Sequence, residues 1–168
     1  TQDLGVGTRT LVTLITAETL GLPMTAVKAE IGDSNYPFSG GSGGSTTAPS
    51  VSPAIRVTAS LALEALAARV APTLGVPADQ ITAADGRVFA RNDPSKALAW
   101  KDACRLLGTE PISVNGEWQA GLSASGTSGV QMAEVEVDVE TGITRVKRIT
   151  CVQDCGLVVN RTTAESQV

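Results

Sequence analysis

Two short stretches hold most of the residues able to do chemistry. The first is Gln2-Asp3-Leu4-Gly5-Val6-Gly7-Thr8-Arg9-Thr10, a glycine turn leading into an apolar repeat. The second runs from Ser39 to Ser52 and sets Gly40, Gly41, Gly43 and Gly44 among the hydroxyls of Ser42, Ser45, Thr46, Thr47, Ser50 and Ser52. Glycines remove the Cβ atoms that would hold a ligand off the backbone. A helix start adds unpaired N–H groups and a fractional positive charge. A neutral, donor-rich loop ahead of a helix is therefore a seat for phosphate or another anion. The competing readings are a flexible Gly/Ser linker for the second stretch and a plain strand-to-helix turn for Gly5 and Gly7. No lysine follows the glycines, so the loop is not of the Walker A kind.

Composition narrows the chemistry further. The chain has 168 residues, which suits one domain, and 42% of them are hydrophobic. Two Trp, two Phe and one Tyr leave a core of Val, Ile, Leu and Ala. Histidine is missing, which removes Ser-His-Asp and Cys-His catalysis and every histidine-containing metal site. The net charge is −4, and the one basic group is Arg145, Lys147 and Arg148, so nucleic acid is not expected as a partner. Cys104, Cys151 and Cys155 have no CxxC spacing and are odd in number, which points to a reducing compartment, the cytoplasm. The periplasm stays open as the alternative. Neither a signal peptide nor a membrane-length apolar run is expected. Both ends read as cut, at Thr1-Gln2-Asp3 and at Glu165-Ser166-Gln167-Val168, so a fragment of a longer chain is expected.

The elements that would position the two loops follow from periodicity. Leu11, Leu14, Ile15 and Leu20 predict a helix, capped at its start by Thr8 or Thr10 and stopped by Gly21 and Pro23. Residues 26–31 predict a strand. The longest helical pattern runs from about Pro53 to Val70, and Arg56 on it is either an anion contact or a solvated charge. Ile81–Ala84 and Arg87–Ala90 flank Asp85-Gly86, a hairpin signal. Asp93-Pro94-Ser95 reads as a cap ahead of a helix that Gly108 stops, with Cys104 as a small core residue. Residues 109–129, with Ser123, Ser125, Thr127 and Ser128, make either a surface excursion or part of a site. Val130–Val139 and Ile143–Val152 predict a long antiparallel hairpin whose charges face one another. The fold class is α/β (α+β): a mixed sheet with helices packed on it and a long antiparallel hairpin near the C-terminus.

Four motifs in order resemble one family, the molybdopterin-binding large subunit of xanthine dehydrogenase and aldehyde oxidase type enzymes. They are Gln2–Thr10, Gly40–Thr47, Ala133–Gly142 and Asp154–Asn160, the last followed by Glu165-Ser166-Gln167. The resemblance covers nearly the whole chain and implies one domain, residues 1–168, from the second cofactor-binding region of such a subunit. It implies that Gln2, Gly5, Gly7, Thr8, Gly41, Ser42, Gly43, Gly44, Ser45, Thr46 and Gln167 bind molybdopterin with molybdenum, in its cytosine dinucleotide form. It further implies hydroxylation of aldehydes or N-heterocycles with water as oxygen source, and iron–sulfur clusters and FAD on partner subunits. No catalytic residue or metal ligand is expected within the chain, since the family's basic glutamate would lie beyond Val168. Where many relatives carry a glutamine between the first two glycines, Val6 stands here. The alternative function is a non-catalytic module that binds an anion or nucleotide, or an empty scaffold domain.

Overall fold

A computed structural model describes residues 1–123 and 126–167. Ser125 and Val168, named above, lie outside the described residues. Two compact units are distinguished, Thr1–Ser123 and Ala124–Val168.

In the first unit, α1 (Thr8–Leu20) packs on α2 (Thr47–Leu74), a helix of 28 residues. Strands β1 (Ile81–Ala84), β2 (Arg87–Ala90) and β3 (Asp93–Ala99) form an antiparallel sheet in that order, and α3 (Trp100–Arg105) follows. Leu66, Val70 and Leu74 recur every four residues and so share one face of α2. With Ala67 they meet Ile81, Val88 and Ala103 in a buried core. The other half of α2 buries Pro53 and Ala59.

The helix is longer than the expected span at both ends, and proline explains the start. Pro49 is the third residue of α2, where an N–H has no partner within the helix in any case. Pro53 costs the helix one bond, the one that would end on the Pro49 carbonyl. The Trp118 indole donates to that carbonyl at 3.4 Å instead. The segment carrying Trp118 also lies close on α2: the Gly116 N–H donates to Thr58 Oγ1 at 3.0 Å, and a Cβ on Gly116 would fall 2.5 Å from Thr58 N. Residues 116–118 of the expected loop are thus bound along α2.

Three other expectations are corrected. Among the described residues the expected strand at 26–31 is not formed: Ala26 ends a 3-10 turn and 27–31 pair with no strand, the Ile31 carbonyl accepts from Arg9 Nη2 at 3.1 Å, and both sheets are antiparallel. Asp93-Pro94-Ser95 opens β3 instead of capping a helix, with Ser95 N–H and Oγ–H both donating to Asp93 Oδ1 in an Asx turn. By length and composition α2 is apolar enough to cross a membrane, contrary to the expectation that no run would be. It packs on α1, and one face of its C-terminal half enters the core described above. The α+β class and the hairpin β1–β2 stand as expected, with Asp85 and Gly86 both at positive φ, 50° and 70°, as a primed turn requires. Cys104 is half-buried, and burial pushes its thiol pKa up, as suits a small packing residue.

The second unit is the hairpin of β4 (Ser128–Val137) and β5 (Thr144–Asp154), then the short α4 (Arg161–Glu165). Glu134 lies opposite Arg148, and Glu136 pairs with Lys147, so the expected facing of charges holds. A bulge after Glu134 leaves Ala133, Val135, Val137, Val146 and Ile149 on one side of the ribbon; the four larger ones are exposed.

Gly21 closes α1 at φ 62°, and a Cβ there would lie 2.5 Å from Cα and N of Ala84. Its carbonyl accepts from Gly86 N–H at 2.7 Å. Gly21→Ala therefore meets both a left-handed backbone and a collision with main chain. A loss of about 2 kcal/mol or more in urea unfolding is expected; a loss below ~0.5 kcal/mol would contradict the close approach of α1 to β1.

Candidate functional site

The two glycine loops belong to the first unit, and hydrogen bonds join their leading ends. Gln2 N–H donates to Ser42 Oγ at 3.1 Å, Ser42 N–H donates to Gln2 Oε1 at 2.9 Å, and Ser42 Oγ–H donates to the Gln2 carbonyl at 2.7 Å. Thr1 Oγ1–H donates to the Gly40 carbonyl at 2.7 Å. Residues 1–2 and 39–42 therefore run side by side. Behind them α1 and α2 pack together, with Arg56 Nη1 donating to Thr19 Oγ1 at 2.9 Å. Arg56 is exposed, as the expectation of a solvated charge has it, and also ties the two helices.

The loops dispose of their N–H groups in opposite ways. At the start of α1, Gly7 is the cap residue, left-handed at φ 79°, and neither Thr8 nor Thr10 caps the helix with its side chain. The acceptor is Asp3. Its Oδ1 takes the N–H of Gly5 at 3.2 Å and of Gly7 at 3.1 Å, and its Oδ2 takes the N–H of Arg9 at 3.0 Å. The bond from the Arg9 N–H, joined by those from Gly7, Gly5 and Thr8, holds the Asp3 carboxyl below the usual carboxylate range against the opposing effect of desolvation. Thr8 is buried at 3% exposure, so its side chain is turned inward. An anion of the chain's own already sits where a ligand's phosphate was expected at Gly5, Gly7 and Thr8.

At the start of α2 the donors stay open. Gly44 and Ser45 are both left-handed, at φ 58° and 57°, and the Thr46 N–H and hydroxyl both turn back to the Gly43 carbonyl, at 3.2 and 2.9 Å. No side chain caps this helix. Among the described residues, no acceptor takes the N–H of Gly43, Gly44, Ser45, Thr47 or Ala48. A Cβ built on Gly40, Gly41, Gly43 or Gly44 would meet nothing within 4 Å, so the loop faces open space. Such a set of neutral, exposed donors matches the oxygens of a phosphate ester. Of the expected residues, Gly41, Gly43, Gly44, Ser45 and Thr46 lie in this loop, while Ser42 and Gln2 are engaged with each other. Gln167 lies in the second unit just past α4, its N–H donating to the Ala164 carbonyl at 3.1 Å.

Sequence reasoning passed over Asp3 and Trp118. Asp3 had a local signal, since an Asx side chain commonly accepts N–H groups two residues on, and Gly5 and Gly7 leave those groups accessible. Trp118 had none, standing 69 residues from Pro49.

Residues 1–168 match a family model described as "Molybdopterin cofactor-binding domain". The chain belongs to that family. It is 30% identical to the aldehyde oxidoreductase molybdenum-binding subunit PaoC of Escherichia coli (strain K12), over 99% of this chain and 22% of that subunit. Quinoline 2-oxidoreductase from Pseudomonas putida 86 shares its fold at a TM-score of 0.77 and 25% identity, over 97% of this chain and 22% of that one. A Cu,Mo-CO dehydrogenase in its carbon monoxide reduced state gives a TM-score of 0.81 at 23% identity, over 99% of this chain and 22% of that one, a likeness of fold. The chain spans about a fifth of the length of the relatives it matches. The resemblance carried by the four motifs is thereby borne out.

Because its folded pKa is depressed, Asp3 stabilises the α1 start above its unfolded pKa of about 4 and loses that contribution as pH falls through the folded value. In Asp3→Asn this part of the acid dependence is expected to vanish, with faster amide exchange at Gly5, Gly7 and Arg9 at pH 7. An unchanged acid profile and unchanged exchange would show that the carboxylate does not hold the turn.

Proposed function

We propose that this chain forms part of the cofactor seat of a molybdenum hydroxylase, a longer subunit that oxidises an aldehyde or an N-heterocycle. One observation carries the reading: a chain of a molybdopterin-binding family presents open N–H groups at Gly43, Gly44, Ser45, Thr47 and Ala48 on a glycine loop facing free space. The names of the relatives, an aldehyde oxidoreductase subunit and a quinoline oxidoreductase, support the substrate classes. When bound, the molybdenum cofactor supplies hydroxylation at carbon with water as the oxygen source. The chain's own work is to bind and orient it.

In this reading Gly41, Gly43, Gly44, Ser45 and Thr46 lie against the phosphates, with the N–H groups of Thr47 and Ala48 behind them. A diphosphate, as in the cytosine dinucleotide form, suits a loop with more open donors than one phosphate needs. Neutral backbone donors neutralise a diphosphate without a lysine, helped by the positive end of α2. The α1 turn contributes shape instead of charge, because Asp3 fills it and would repel a second anion there. Gln167 is retained as a pterin contact. Iron–sulfur and FAD groups belong to partner subunits in this proposal, and the cytoplasm to the enzyme.

The complete subunit carrying Gly43→Val tests it. Gly43 needs no left-handed backbone and its Cβ meets nothing, so the fold tolerates the change while the side chain enters the proposed phosphate space. Molybdenum and cytosine nucleotide per subunit are expected to fall about tenfold, equivalent to ~1.4 kcal/mol, with an unaltered melting temperature. Wild-type protein holding molybdenum but no cytosine nucleotide would remove the dinucleotide; full occupancy in the variant would remove the loop from the site.

A further inference from the structure

We propose that Gln2 and Ser42 act on the cofactor only indirectly, as a clasp that orders the loop from Gly43 to Ala48. The inference rests on the proposed seat and reassigns two residues expected to be ligands. Their polar groups are spent on one another. Ser42 uses its N–H, its hydroxyl hydrogen and a hydroxyl lone pair on Gln2, and Gln2 answers with its N–H, its carbonyl and Oε1. A serine whose only hydroxyl hydrogen is held at 2.7 Å by a carbonyl has none to offer a phosphate oxygen.

The clasp has the form of a β-bridge in which one strand's peptide is replaced by a side chain. The two residues are 40 apart in sequence, so the bonds close the whole segment of α1 and the long connection after it. Thr1 on the Gly40 carbonyl extends the same contact by one step. Ser42 directly precedes the glycine pair Gly43-Gly44, the most mobile kind of backbone in an unligated loop. Fixing Ser42 on one side, with α2 fixing Thr47 on the other, leaves the four residues 43–46 between two anchors. A loop so held loses less freedom when it takes up a ligand, the usual advantage of preorganisation. The clasp also couples the first glycine turn to the second: residues 1–2 lead straight into the Asp3-capped turn of α1.

The experiment uses the complete subunit, prepared with and without cofactor, in wild-type form and as Gln2→Ala, Ser42→Ala, the double variant and Ser42→Thr. Amide hydrogen exchange across 40–48 is read in the cofactor-free protein, and molybdenum and nucleotide content in the loaded one. Ser42→Ala, which removes both hydroxyl bonds to the Gln2 main chain, is expected to speed exchange across 40–48 about tenfold. Gln2→Ala, which removes only the Oε1 bond, is expected to speed it less. The double variant is expected to speed it at least as much as Ser42→Ala, and Ser42→Thr to restore protection and occupancy by keeping the hydroxyl. Unchanged exchange with lowered occupancy would overturn the clasp and return Gln2 and Ser42 to direct binding. Loss of protection in Gln2→Ala with none in Ser42→Ala would overturn it too, since the hydroxyl makes two of the three bonds. Faster exchange with full occupancy would support the clasp and count against the seat at 43–48.

Discussion

Each helix begins with N–H groups that no residue of its own first turn can satisfy, and this chain meets that constraint twice in opposite ways. At α1 the preceding Asp3 bends back and fills the vacancy from within, using both carboxylate oxygens. At α2 no side chain does so, and a glycine-rich loop leaves the donors toward solvent. The first solution gives a rigid turn, the second a receptive one. The packing of α1 on α2 places the rigid start and the receptive start on one body, so the order of one supports the exposure of the other.

Much of this was legible in local sequence. The apolar spacing of α1, its stop at Gly21 and the Asp85-Gly86 hairpin depend on residues close in the chain, and the structure reproduces them. The charged face of β4 and β5 follows from alternation alone. What was not legible depends on distant partners. Residues 27–31 have strand-like composition but no neighbouring strand among the described residues to complete a ladder, and composition cannot supply one. The true start of α2 needed Trp118 to take up the carbonyl that Pro53 leaves over, a contact no window of sequence contains. Asp93 misled because the same Asx chemistry serves a helix cap and a strand-opening turn.

The site was half legible for the same reason. Glycine and hydroxyl content marked both loops correctly as turns before helices, but content does not say which donors are already used. That depends on whether a carboxylate lies within reach, and one residue, Asp3, separates the two cases. The result fits a chain of the molybdopterin cofactor-binding family in which the two loops divide the labour, one holding shape and one holding open bonds.

The indole of Trp118 reaches the Pro49 carbonyl three residues beyond Thr46, while Gly116 lies against Thr58 two turns further along the same helix. The strap formed by residues 111–118 thus grips α2 at its receptive end from outside. The first turn of α2 is therefore fixed in part by a side chain 69 residues further along the sequence.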